Sequence, residues 1–131
     1  MHSVVGSLGR LSLVFVYMIS GPMCTIEPKM PNYILHSLVQ ARHSQPDANL
    51  VMISNFDECP GVAESMKPLS FVERVDSKAI QSKRTGEFIA RCGDIFQKDG
   101  GGELWMTSAI RFFTMEDYMV GLSTFDLGQF M

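Results

Sequence analysis

The chain is 131 residues long, 46% hydrophobic and 19% charged, with a formal net charge of −3. That length gives one domain with a real core, and the composition excludes a disordered chain. Mild acidity without a run of lysine and arginine excludes the basic footprint of a nucleic-acid binder.

Residues 1–10 are small and predicted to be flexible. Leu11 to Ile19 is an apolar run rich in β-branched and aromatic side chains, closed by Ser20-Gly21-Pro22, and reads as a buried strand. It also imitates a secretory signal or anchor, because His2 and Arg10 precede it and small residues follow. It is too short to span a bilayer core of ~30 Å, which needs about 20 apolar residues. Localisation follows that choice: cytoplasmic for a core strand, secretory pathway or Golgi for a signal or anchor.

Pro31 opens a helix with Ile34, Leu35, Leu38 and Val39 at helical spacing, and Pro46 stops it near Ser44. After the turn Gln45–Asn49, Leu50-Val-Met-Ile53 is a second apolar run ending at Ser54-Asn55. Residues 11–55 thus read as one β-α-β unit. Asn55 to Leu69 carries Pro60, Gly61 and Pro68 and reads as a loop, and Phe71–Val75 as a short third strand.

Asp76 suits the N-cap of a helix whose apolar positions, Phe88, Ile89, Cys92, Ile95 and Phe96, strengthen towards its end. Lys98-Asp-Gly-Gly-Gly102 breaks the chain. Glu103 to Gly121 reads as a buried helix through Leu104, Trp105, Ala109, Phe112, Phe113 and Met119. Leu122 to Met131 reads as the start of another strand, which makes the whole a single partial α/β domain: flexible 1–10, β-α-β unit 11–55 and helical remainder 56–131.

The three cysteines, Cys24, Cys59 and Cys92, contain no C-x-x-C pair and predict reduced, partly buried thiols, with one bridge as the alternative. Ten methionines read as packing filler. In open α/β sheets ligands gather beyond the carboxyl ends of the strands, so Ile19–Cys24 and Ser54–Cys59 are the candidate site loops. No G-x-G-x-x-G or P-loop occurs, and Gly100-Gly-Gly102 reads as an interhelix loop. His2, His36 and His43 lack zinc-ligand spacing, and no G-x-S-x-G elbow is present. Asp57-Glu58 lies where a carboxylate meets a ribose or metal, or is simply solvated; Glu116-Asp117 reads as surface. Arg111, amid Ala109-Ile-Arg-Phe-Phe113, either snorkels or pairs with Glu103, Glu116 or Asp117, or presents a planar fork to a phosphate or carboxylate.

Phe15-Val-Tyr-Met-Ile19, the segment Met30–Pro46 and Asn49-Leu-Val-Met-Ile-Ser-Asn55 resemble the strand, proline-led helix, turn and strand with which GT-A-type, nucleotide-sugar-dependent glycosyltransferases begin. Glu103-Leu-Trp-Met-Thr-Ser-Ala-Ile-Arg-Phe-Phe113 is similar to the helix that carries a glutamate and an Arg-aromatic pair just before that family's D-x-D strand. The resemblance implies a Rossmann-like α/β fold, with a small, mostly parallel sheet flanked by helices. It implies a nucleoside-diphosphate sugar as donor, with Ser20, Gly21, Asn55 and Asp57 at the nucleotide and Arg111 at the diphosphate. In a complete enzyme it implies a divalent cation, Mn²⁺ or Mg²⁺; Asp126 is the sole carboxylate where the D-x-D would fall. No catalytic base is assigned. The missing D-x-D sustains the rival expectation, a non-catalytic α/β binding or structural fragment.

Overall fold

The computed structural model describes residues 2–5, 11–19, 23–26, 29–98 and 102–130. In chain order the elements are β1 (His2–Val5), β2 (Leu11–Tyr17), α1 (Met23–Ile26), α2 (Asn32–Ser44), β3 (Asn49–Ser54), α3 (Pro60–Ser65), β4 (Val72–Asp76), α4 (Ser77–Ile80), α5 (Lys83–Lys98) and α6 (Gly102–Phe130). The chain divides into two compact units, Met1–Asp76 and Ser77–Met131.

The first unit is α/β. Its sheet has the order β1-β2-β3-β4, with β2, β3 and β4 parallel and β1 antiparallel on the outer edge of β2. The register runs from Ser12↔Asn49 to Tyr17↔Ser54 between β2 and β3, and from Leu50↔Val72 to Ser54↔Asp76 between β3 and β4. β3 is the middle one of the three parallel strands. Leu50, Val51, Met52 and Ile53 are all at most 2% exposed, which explains its unbroken apolar sequence: a strand covered on both faces has no polar side to show. β4 is the opposite case, with Glu73 and Arg74 exposed, as suits a strand near a sheet edge.

Pro31 precedes the first turn of α2, and its carbonyl accepts the N–H groups of Ile34 and Leu35 at 3.0 and 3.3 Å. Leu38 and Ala41 are buried on the inner face of α2, with Ile34 and Leu35 packed beside the core. At its end Gln45 turns extended (φ −135°, ψ 76°), the conformation that Pro46 imposes on its predecessor. Arg42 then fastens the turn. Its Nη1 donates to the carbonyls of Pro46 (2.7 Å) and Ala48 (2.8 Å), its Nη2 to Phe71 (3.3 Å), and its guanidinium lies 5.4 Å from the Phe71 ring centroid.

Four sequence expectations are corrected. Residues 2–5 are not a flexible end but β1, held by the hydrogen-bonding edge that β2 offers. The loop expected over 55–69 contains α3, because Pro60 stands at the first helical position, where the missing N–H breaks no bond. The helix expected after Asp76 is interrupted at Gln81-Ser82: α5 starts afresh, with the Ser82 hydroxyl accepting the Thr85 N–H at 3.2 Å as an N-cap. The tail is not a strand but the continuation of α6 to Phe130, since extending a helix is cheaper than nucleating a new element.

In the second unit α5 packs on α6. The rings of Phe88 and Phe113 stack with centroids 4.4 Å apart, Arg84 lies 5.7 Å from the Phe113 centroid, and Arg84 pairs with Glu116. Thr85, on α5, and Thr114 and Met115, on α6, are buried. Among the described residues no helix is long and apolar enough to cross a membrane.

Because one guanidinium serves the carbonyls of Pro46, Ala48 and Phe71 and reaches that of Gln45 at 3.5 Å, Arg42→Ala is expected to lower unfolding free energy by about 2 kcal/mol. Arg42→Lys should recover less than half of that, since an ammonium has no planar fork. Urea denaturation of the three proteins measures both, and a midpoint unchanged in Arg42→Ala would show the contacts to be idle.

Candidate functional site

The two loops singled out by the β-α-β pattern leave adjacent parallel strands at the same end of the sheet, so they begin as neighbours. Asn55 is the first residue beyond β3, 5% exposed. Its Oδ1 accepts the Ile19 N–H at 3.1 Å, and its Nδ2 donates to the Ile19 carbonyl. A side-chain amide thus pairs with a main-chain peptide on both sides. The Asn55 carbonyl in turn accepts the N–H groups of Glu58 and Cys59, both at 3.1 Å, which closes the turn Phe56–Glu58. The Asn55 amide also lies 3.4 Å from Glu58 Oε2.

Two further ties cross this edge. The Asp57 N–H donates to Asp76 Oδ2 at 2.9 Å, which joins the loop after β3 to the end of β4. Cys24, in α1, and Cys59 form a disulfide with Cα atoms 5.6 Å apart. The expectation of reduced cysteines is therefore corrected for this pair, whereas Cys92 is free and half-buried. Spacing gave no hint of the bridge, since 35 residues separate the partners. The sheet brings them together. Below the edge, Ser65 Oγ accepts the Met30 N–H at 2.9 Å and donates to the Val62 carbonyl at 2.8 Å, anchoring the start of α2 to α3.

The residues expected at the nucleotide fare differently. Ser20 and Gly21 lie outside the described residues. Asn55 is at the expected edge, but its amide is engaged by Ile19. Asp57 and Glu58 are exposed there, and Asp76 is half-buried beside them. Arg111 belongs to the second unit; it is exposed on α6 with its guanidinium 5.5 Å from the ring centroid of Phe112, itself 61% exposed, so it is neither buried nor paired with Glu116. Asp126 falls within α6 instead of on a strand.

Among the described residues no three His, Cys, Asp or Glu side chains converge as a metal site. His36 and His43 are both exposed on α2. An open groove of about 530 Å³ between α5 and α6 is lined by Arg84, Arg91, Glu87 and Glu116 with Phe88 and Phe113, and its opposed charges cancel. The sequence pointed to Asn55 and Asp57 but not to Asp76, whose acceptor role depends on register alone. The chain matches no family model, no curated protein and no solved structure.

Removing the Asn55 amide strands a buried N–H and a buried carbonyl at Ile19, so Asn55→Ala should lower stability by about 2–4 kcal/mol. Asn55→Asp keeps the shape, loses the donor and adds charge beside Glu58; it should fall in the same range. Reduction of the Cys24–Cys59 bridge removes a cross-link over a long loop, for which chain entropy gives about 4 kcal/mol. Urea curves with and without dithiothreitol, beside a non-reducing peptide map, test this. Coincident curves would show the bridge to be energetically silent.

Proposed function

We propose that the chain is a glycosyltransferase-like α/β domain that receives the nucleotide of a nucleoside-diphosphate sugar at the carboxyl edge of β2, β3 and β4. In a complete enzyme, that donor's sugar passes to an acceptor. The observation that supports this reading is the laced edge itself. Asn55 and the Cys24–Cys59 bridge hold two post-strand loops together and leave Asp57 and Glu58 in solvent, at the end of a parallel sheet where ligands of such folds collect. There Asp57 suits a ribose hydroxyl, because an ionised carboxylate only accepts hydrogen bonds and a ribose offers donors. The carboxylates described do not converge to hold Mn²⁺ or Mg²⁺, so no step is assigned to a cation.

A second reading rests on Asn55. Both polar ends of its side chain are spent on Ile19, and its neighbour Cys59 is sealed in a disulfide, the economy of an edge built for rigidity. On this reading the unit is a non-catalytic binding or structural domain.

Calorimetric titration of the folded chain with UDP and with GDP, each with and without Mn²⁺, separates the two. Under the first reading one nucleotide binds saturably, and Asp57→Ala weakens it at least about tenfold. No heat from either nucleotide would leave the second reading standing.

A further inference from the structure

The second unit contains a carboxylate in an unusual position. Asp117, on α6, is only 9% exposed. Its Oδ2 accepts the Ser82 N–H at 3.1 Å and the Thr85 hydroxyl at 2.7 Å. The Ser82 hydroxyl donates in turn to Thr85 Oγ1 at 3.1 Å, so the carboxylate terminates a chain of hydroxyls at the start of α5. These donors and the positive end of the α5 dipole stabilise one oxygen. Among the described residues, Oδ1 accepts no hydrogen bond and no lysine or arginine pairs with Asp117. A carboxylate so withdrawn from water is costly unless a cation meets it.

Asp117 also lines a cavity of about 340 Å³, whose other walls are Ala79, Ile80, Tyr118, Gly121 and Leu122. These are apolar side chains, apart from one tyrosine. The cavity opens to solvent past Ala79 and Gly121, both exposed, and its volume is many times the ~30 Å³ share of one water. Gly121 stands in the interior of α6, where glycine weakens a helix, and a Cβ built there meets nothing within 4 Å.

We infer that this cavity binds a small primary alkylammonium, its charged head on Asp117 Oδ1 and its alkyl chain along Ala79, Ile80 and Leu122. Each alternative fits less well. Calcium or magnesium needs several oxygen ligands, and here one oxygen is available. A guanidinium gains its advantage by gripping both carboxylate oxygens, but Oδ2 already holds two donors. An ammonium is a compact charge that needs only one. Tyr118 adds an aromatic side chain, the type that attracts such ions.

The test is an amide-resolved NMR titration of the full chain with n-butylammonium, 1-butanol and guanidinium. Saturable shifts at Ser82, Thr85 and Gly121 are expected with n-butylammonium, and at least about tenfold weaker binding of the other two. Asp117→Asn keeps an oxygen for Ser82 and Thr85 but loses the charge, and should weaken n-butylammonium at least about tenfold. Gly121→Leu fills the cavity without backbone strain; it should abolish binding while the spectrum stays folded, and it decides the matter if Asp117→Asn does not fold. Tighter binding of Nα-acetyl-lysine methylamide than of n-butylammonium would assign the ammonium to a lysine side chain, and weaker binding to a free amine. Equal affinity for 1-butanol, undiminished affinity in Gly121→Leu, or no saturable shift in the wild-type chain would overturn the proposal.

Discussion

The first unit depends on a hydrogen-bonded pair that is not quite part of the sheet. Backbone pairing between β2 and β3 ends at Tyr17↔Ser54. One step further the Asn55 side chain takes over, offering Ile19 an oxygen and an N–H group as a third peptide would. No other residue type presents both groups on so short a stem, apart from glutamine with its extra carbon. Ile19, just beyond β2, is thereby tied to the residue just beyond β3. Cys24 then falls within bridging distance of Cys59, the turn after Asn55 closes, and Asp57 faces Asp76. The edge where a ligand would arrive is thus shaped by one buried amide.

How much of this was legible depends on whether the deciding contact is local. β3 was legible because burial on both faces writes itself as an unbroken apolar run, and α2 because Pro31 and Pro46 punctuate both ends. β1 was not, since its stability comes from an open edge on β2 and not from its own four residues. Pro60 was misleading for a different reason: the same residue that breaks a helix from inside begins one from its first turn. The bond from Asn55 to Ile19 was not legible, because nothing in the sequence distinguishes an asparagine that reaches outward from one that folds back on a neighbouring strand.

Glu116 and Asp117 show the same limit within a helix. As a sequence pair they read alike, but successive residues on a helix point about 100° apart. Glu116 turns to solvent and Arg84, whereas Asp117 turns inward to Ser82 and Thr85. Arg111 reverses the pattern: it lies among apolar neighbours in the sequence, yet it is exposed, as is Phe112 beside it. Composition alone cannot separate these outcomes, since the helix face is set by what α5 covers.

The bridge between Cys24 and Cys59 has a topological consequence. It encloses α2, the Gln45–Ala48 turn and β3 in one covalent ring. A single cleavage of the main chain anywhere inside that ring opens it without parting the molecule. The nicked protein would keep its mass apart from one added water, and would separate into two polypeptides only after reduction.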